Sequence, residues 1–187
     1  MTGWGATTAL LLASCSASGT TGSEPASGDA TSGRAESGTT SGLPSSVPLA
    51  YAAKEQAKAA YVAMWQDMAQ AGRTSDWRSP KLATHATGDA LSVMSRVLYA
   101  DHRNGLVSKG GPKNHPEVTL ASPSARPSTV MISDCGDSTD WLQYRKDTGE
   151  LADDEPGGRR AITAEVKRME DGTWKVTRFA VERLGSC

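Results

Sequence analysis

The sequence contains few of the residues on which common catalytic and nucleic-acid-binding sites depend. Its 187 residues include three His, three Cys and one Phe, and aromatic residues make up only 5%. The formal net charge is -1 at pH 7, so no overall positive charge favours nucleic acid. No G-x-S-x-G, P-loop or Rossmann glycine pattern is present, which leaves the common hydrolase and nucleotide-binding classes without support.

Patterns for a metal site and for a membrane-spanning helix are also missing. The Cys and His residues form no CxxC spacing and no cluster. The apolar or small residues 6–14 are too few to cross a hydrocarbon core, which needs about 20. We therefore predict no catalytic residue, no metal and no cofactor.

What the sequence does have is a cysteine at the border between its most apolar segment and its least apolar one. Leu12-Ala13-Ser14-Cys15 resembles the lipobox of bacterial lipoprotein signal peptides. The resemblance implies a signal peptide over residues 1–14 and a lipid, such as palmitate, on Cys15 of the mature chain. It departs from the pattern at the start, MTGWG, which has no basic residue. Two alternatives stay open: a true start upstream of residue 1, or a soluble protein with an unprocessed Cys15.

Residues 15–47 are predicted to be a disordered tether. Positions 16–46 contain nine Ser, six Gly and five Thr, with Leu43 as the only large aliphatic residue. Such a segment buries too little apolar area to offset an ordering cost of roughly 1–2 kcal/mol per residue. A folded domain is then expected over residues 48–187.

The cysteine count is consistent with export. If Cys15 carries lipid, Cys135 and Cys187 remain as a pair that would form a disulfide in an oxidising compartment. Two free buried thiols are the alternative. The bias toward Arg, Ala and Gly, with two Asn and two Ile, is typical of a high-GC genome such as that of an actinobacterium.

Apolar spacing predicts three helices before any strand, over residues 49–71, 80–86 and 89–104. The apolar face of the first helix is formed by Ala57, Tyr61, Met64, Trp65 and Met68. Six strands are then predicted, at 106–108, 117–120, 129–135, 140–145, 160–169 and 173–183. Asp171-Gly172 favours a tight hairpin turn between the last two. This order predicts an α+β fold with helices packed on a strongly curved antiparallel sheet.

The order of elements resembles the NTF2-like, cystatin-type cone domain, and more narrowly the form of it found in secreted actinobacterial lipoproteins. The residues that carry the likeness are Trp65, Ala86-Thr87-Gly88, Leu98, Gly105, Pro116, Asp134-Cys135-Gly136-Asp137-Ser138, Trp141, Gly172, Trp174 and Cys187. The resemblance implies a cone whose open mouth can hold a small molecule. Enzymes of that superfamily place Asp, His or Tyr in the cone for proton transfer.

Candidate pocket residues follow from that resemblance. Tyr61, Asp76, Trp77 and His85 are the candidates for a cone lining, and Asp101 and His102 are further polar candidates. The alternative for Asp76 and Trp77 is structural, with Asp76 capping the next turn and Trp77 closing the base of the core. The two histidines lie near helix ends, where solvent exposure or compensation of the helix dipole is an alternative role.

Two acidic segments have structural alternatives as well. Asp134, Asp137 and Asp140 suit calcium, but the terminal Glu of an EF-hand loop is missing and turns favour the same residues. The acidic run 153–155 followed by Arg159-Arg160 is expected to be a solvated hairpin tip or a polar docking edge.

The sequence therefore predicts a lipoprotein anchored to the outer face of the cytoplasmic membrane through Cys15. Its domain is expected to bind an unknown protein or small molecule, with no role in binding nucleic acid. The alternatives are an enzyme that uses the cone pocket, and an accessory component of a secretion or conjugation assembly. The enzyme alternative predicts a deep apolar cavity with a carboxylate or His, and a cone filled by Met64, Trp65 and Leu98 would exclude it.

Overall fold

The structure, a computed structural model, describes residues 46–152 and 157–187, with side chains from residue 49 onward. The predicted signal peptide (1–14), Cys15 and nearly all of the predicted tether (15–47) lie outside these residues, so those assignments stay predictions. Of the helices in the described ranges, none combines the length and apolar character needed to cross a bilayer.

Within the described residues, three helices precede six strands. The helices are α1 (Ser46–Gly72), α2 (Leu82–His85) and α3 (Gly88–Arg103). The strands are β1 (Leu106–Lys109), β2 (Glu117–Ser122), β3 (Thr129–Asp137), β4 (Leu142–Arg145), β5 (Arg159–Arg168) and β6 (Trp174–Val181). This arrangement confirms the predicted α+β fold, with helices against antiparallel strands in the order expected of an NTF2-like domain.

Helix α1 begins three residues earlier than predicted, inside the last residues assigned to the tether. Pro48 is compatible with this start, because a first-turn residue needs no amide hydrogen for the helix. The predicted apolar face is buried as expected. Its central members, Ala57, Tyr61 and Met64, are each 0% exposed.

The strands form two sheets rather than one continuous meander. Strands β2, β3, β5 and β6 pair antiparallel in that order, and β1 pairs separately with β4. Register shifts in the β2–β3 and β5–β6 ladders are places where the strands bend. The buried apolar side chains that the larger sheet contributes to the core are Val130, Ile132, Ile162, Ala164, Val166, Trp174 and Val176.

The hairpin between β5 and β6 has the predicted turn. Gly172 has φ +85°, a left-handed conformation that L side chains rarely adopt. The amide of Met169 donates to the Thr173 carbonyl at 2.7 Å, and the Asp171 carboxylate accepts from the Thr173 amide at 2.9 Å. Gly172 therefore supplies the backbone conformation of the turn, and the Asp171 carboxylate supplies a hydrogen bond that closes it.

Cys135 and Cys187 are joined by a disulfide, with their Cα atoms 5.9 Å apart. Strand β5 lies between β3 and β6, so those two strands do not pair directly. Residues 182–187 bring Cys187 to Cys135 by turning back along the start of β5. The Gly185 amide donates to the Arg159 carbonyl at 2.8 Å, and the Ala161 amide donates to Ser186 Oγ at 2.8 Å.

Candidate functional site

A cavity of about 610 Å³ lies between the two longer helices and the sheets. Helices α1 and α3 form one side of its wall, and residues of β1, β3, β4, β5 and β6 form the other. Trp65 and Leu98 line this wall, while Met64 is fully buried in the core. Met64, Trp65 and Leu98 therefore do not fill this space, and a cone filled by them is the condition that would have excluded the enzyme alternative.

Three aromatic rings pack together along the cavity. The ring of Trp65 lies 6.3 Å from that of Trp141 and 5.2 Å from that of Phe179, measured between centroids. All three residues line the wall. The indole N–H groups of both tryptophans are buried and have no hydrogen-bond partner among the described residues. Packing, rather than hydrogen bonding, therefore holds these indoles in place.

Two charged residues of the described chain line the same wall, Asp101 on α3 and Arg160 on β5. The side-chain amide of Gln143, on β4, donates to Asp101 Oδ1 at 2.9 Å. Partial burial raises the pKa of Asp101 above its ordinary value, and the hydrogen bond from Gln143 acts in the opposite direction. The cavity thus combines an apolar, aromatic body with a few polar groups that could orient a ligand.

Gly136 helps to keep this space open. It lies on β3, paired with Arg160, and it lines the cavity. A Cβ atom at this position would come within 2.6 Å of Ile162 Cδ1, so any side chain would press on this wall residue of the neighbouring strand β5.

None of the four leading pocket candidates is among the residues that line this cavity. Tyr61 is fully buried, and its ring meets that of the wall residue Trp65 edge-on with the centroids 6.3 Å apart. Its hydroxyl donates to Asp134 Oδ2 at 2.9 Å. Burial, followed by the nearby Asp134 charge, raises the pKa of Tyr61 far above its ordinary value, so it stays a protonated donor.

The other three candidates have structural roles on the outside of the domain. Asp76 accepts a hydrogen bond from the amide of Arg78 at 3.2 Å, which is the turn-capping role given above as its alternative. Trp77 packs partly against the core and meets the Tyr99 ring edge-on at 5.2 Å. His85 Nδ1 lies 2.7 Å from Asp67 Oδ2. Side-chain polarity alone could not distinguish these roles from a cavity lining.

The three aspartates of the calcium hypothesis point to different partners. Asp134 is buried and accepts from Tyr61, Asp137 accepts from the Thr139 amide at 2.9 Å, and Asp140 pairs with Lys113 at 2.6 Å. The hydrogen bonds from Thr139 lower the pKa of Asp137. Within the described residues, no group of three potential metal ligands converges. The acidic run 153–155 lies outside the described residues, so its assignment as a hairpin tip or docking edge stays a prediction.

Asp101 is the only polar candidate from the sequence that the structure places in the cavity wall. Trp141, Gln143, Arg160 and Phe179 were not predicted as site residues. A signal existed for Trp141 and Gln143, since they alternate along a predicted strand and so share one face. For Arg160 and Phe179 the inward face depends on register, which the sequence alone does not fix.

The sequence matches no protein-family model and no curated protein. Among solved structures, it is similar to the intermembrane space region of the chloroplast protein ARC6, at 18% identity, covering 71% of this chain and 95% of that one, with a TM-score of 0.37. It is also similar to a ketosteroid isomerase-like protein from Erwinia carotovora atroseptica, at 13% identity, covering 68% and 92%, with a TM-score of 0.41.

Proposed function

We propose that this chain is an exported lipoprotein, held to the outer face of the cytoplasmic membrane through Cys15, whose domain binds a small, mainly apolar molecule. The observation that carries the binding proposal is the cavity of about 610 Å³. Small-molecule pockets in proteins commonly enclose roughly 300–1,000 Å³ and combine apolar walls with few polar groups. The Trp65, Trp141 and Phe179 rings and the Asp101–Gln143 pair meet that description.

The anchoring proposal rests on residues before the described domain and on the cysteines within it. The lipobox-like LASC ends at Cys15, and the Ser, Gly and Thr-rich segment follows it at once. The Cys135–Cys187 disulfide suits an oxidising compartment outside the cytoplasm. One acyl chain gives only marginal membrane binding, so stable attachment needs at least a diacyl group.

Mass spectrometry of the protein extracted from membranes tests the anchor. We expect the mature chain to begin at Cys15 and to carry a diacylglyceryl group. The Cys15→Ala variant should move from the membrane fraction to the soluble fraction. Ser18→Ala, outside the lipobox-like segment, leaves the thiol in place and serves as the matched control for expression and export. An unmodified mature amino terminus, or a Cys15→Ala protein still bound to membranes, would disprove the lipid anchor.

Filling the cavity tests the binding proposal. Val97 lines the wall and is 43% exposed, so the Val97→Trp variant can add a ring at the cavity without disturbing the buried core. With phenylnaphthylamine, a neutral dye that fluoresces in apolar surroundings, we expect saturable binding to the wild-type protein. Affinity should fall about tenfold or more in Val97→Trp, because the added ring excludes the dye.

The matched control is Ser92→Trp, an added ring at an exposed position of the same helix outside the wall. It should bind the dye as the wild type does. Equal dye binding by wild type and both variants would place the dye elsewhere and would count against a binding function for this cavity.

A proton-transfer enzyme is the second candidate, and one observation favours it. Asp101 places a carboxylate in the wall of an apolar cavity, and partial burial raises its pKa. These are the features expected of a general base. No second titratable side chain of the described residues forms a hydrogen bond or ion pair with the Asp101 carboxylate, whose side-chain partner there is the amide Gln143. Binding is therefore the better-supported function.

A further inference from the structure

The carboxylate of Asp101 lacks a cationic partner in the described structure. No ion pair to Asp101 is present among residues 46–152 and 157–187. The hydrogen bond from Gln143 involves Oδ1, and no side-chain hydrogen bond of the described residues reaches Oδ2.

The rest of the wall suits a cation with an apolar body. The faces of Trp and Phe rings attract cations, and three such rings line this cavity. Aliphatic side chains cover much of the remaining wall, namely Met68, Val93, Val97, Leu98, Ile162, Val181 and Leu184. A ligand with a charged nitrogen at one end and hydrocarbon at the other would meet both kinds of surface.

We infer that the cavity binds an amphipathic amine, with its ammonium group beside Asp101 and its apolar body against the Trp65, Trp141 and Phe179 rings. This inference rests on the proposed function, because it names the ligand class of the same cavity. Burial already raises the pKa of Asp101, and an ammonium partner would offset the cost of holding that carboxylate charged in partly apolar surroundings.

Arg160 is the feature that favours the opposite charge, since it would attract an anionic ligand. A hydrogen bond from Gln143 holds the Asp101 carboxylate in place. Among the described residues, no side-chain hydrogen bond holds Arg160 in the same way. A charged group that is already fixed loses less entropy on binding than a long mobile side chain does. We therefore assign the ligand contact to Asp101 and expect Arg160 to repel an amine weakly.

Three probes with the same phenylbutyl body test this assignment: 4-phenylbutylamine, 4-phenylbutanol and 5-phenylvalerate. By isothermal titration of the full-length protein, we expect the amine to bind about tenfold more tightly than the alcohol, and the acid to bind most weakly. Asp101→Asn should abolish the preference for the amine and leave the alcohol unchanged, because asparagine keeps the shape and can still accept from Gln143.

Two further variants complete the design. Asp89→Asn removes the same charge from an exposed position on α3, outside the wall, and should leave all three affinities unchanged. Arg160→Gln should strengthen amine binding or leave it unaltered. Circular dichroism checks that each variant is folded.

If the acid binds most tightly and its affinity falls in Arg160→Gln, the amine assignment is wrong. The proposal that the cavity binds a small molecule would still hold. Equal affinity for amine and alcohol would overturn the amine assignment in the same way. If none of the three binds, the assignment also fails, and the phenylnaphthylamine measurement then decides separately whether the cavity binds apolar molecules at all.

Discussion

Replacing Asp134 with alanine is expected to lower the free energy of unfolding by about 3 kcal/mol or more. The side chain is 5% exposed and accepts three hydrogen bonds. Tyr61 Oη donates to Oδ2 at 2.9 Å, Asn114 Nδ2 to Oδ2 at 2.6 Å, and the His115 amide to Oδ1 at 2.8 Å. The alanine variant would leave three donors facing a space with no acceptor, and each buried unpaired donor costs roughly 1–3 kcal/mol.

The size of this effect follows from where the three donors come from. Tyr61 lies on α1, Asp134 on β3, and Asn114 and His115 in the connection between β1 and β2. One carboxylate thus joins the first helix, the sheet and a loop near the cavity wall. No Lys or Arg of the described residues pairs with it, so the hydrogen bonds alone compensate for its burial.

Urea unfolding of the Asp134→Ala variant and of two comparison variants checks this prediction. Asp140→Ala removes a carboxylate that is 65% exposed and pairs with Lys113, and it should change stability by less than about 1 kcal/mol. Tyr61→Phe removes one of the three donors and should cost about 1–3 kcal/mol. Asp134→Ala and Asp140→Ala proteins of equal stability would contradict the prediction, because the network would then contribute nothing.

The helices and strands could be predicted from the sequence because local patterns encode them. The helical spacing of Ala57, Tyr61 and Met64 identifies the buried face of α1, and Asp171-Gly172 identifies the last hairpin. The pairing of β1 with β4 could not be predicted in this way. Which strands become neighbours depends on contacts between segments far apart in the chain, and short strands of four residues specify those contacts weakly.

The candidate site was predicted less well than the fold. The sequence shows three polar residues in similar positions near helix ends or turns, namely Asp76, His85 and Asp101. Only Asp101 lines the cavity. Its position depends on how α3 packs against β4, where Gln143 fixes it, and no local pattern shows that packing. The buried role of Asp134 was hidden for a similar reason. Its three partners lie 73, 20 and 19 residues away in sequence.

Loss of the disulfide is expected to lower the free energy of unfolding by about 4 kcal/mol in the chain-entropy description of a cross-link. The bridge joins positions 52 residues apart, so it removes many conformations from the unfolded chain. The double variant Cys135→Ser/Cys187→Ser and the reduced wild-type protein should show similar losses in urea unfolding. Cys15→Ser, which removes a cysteine outside the described domain, should unfold as the oxidised wild type does.

The same change should also weaken dye binding at the cavity. Cys187 ends the segment 182–187, which carries Leu184 of the cavity wall. Without the bridge, this segment is held to the start of β5 mainly by three hydrogen bonds, which involve Glu182, Gly185 and Ser186. A terminal segment held so weakly frays, and its apolar side chain then no longer closes the wall. Unchanged stability on reduction, or two free thiols in the purified domain, would show that the bridge does not form and would remove this link between the C-terminus and the cavity.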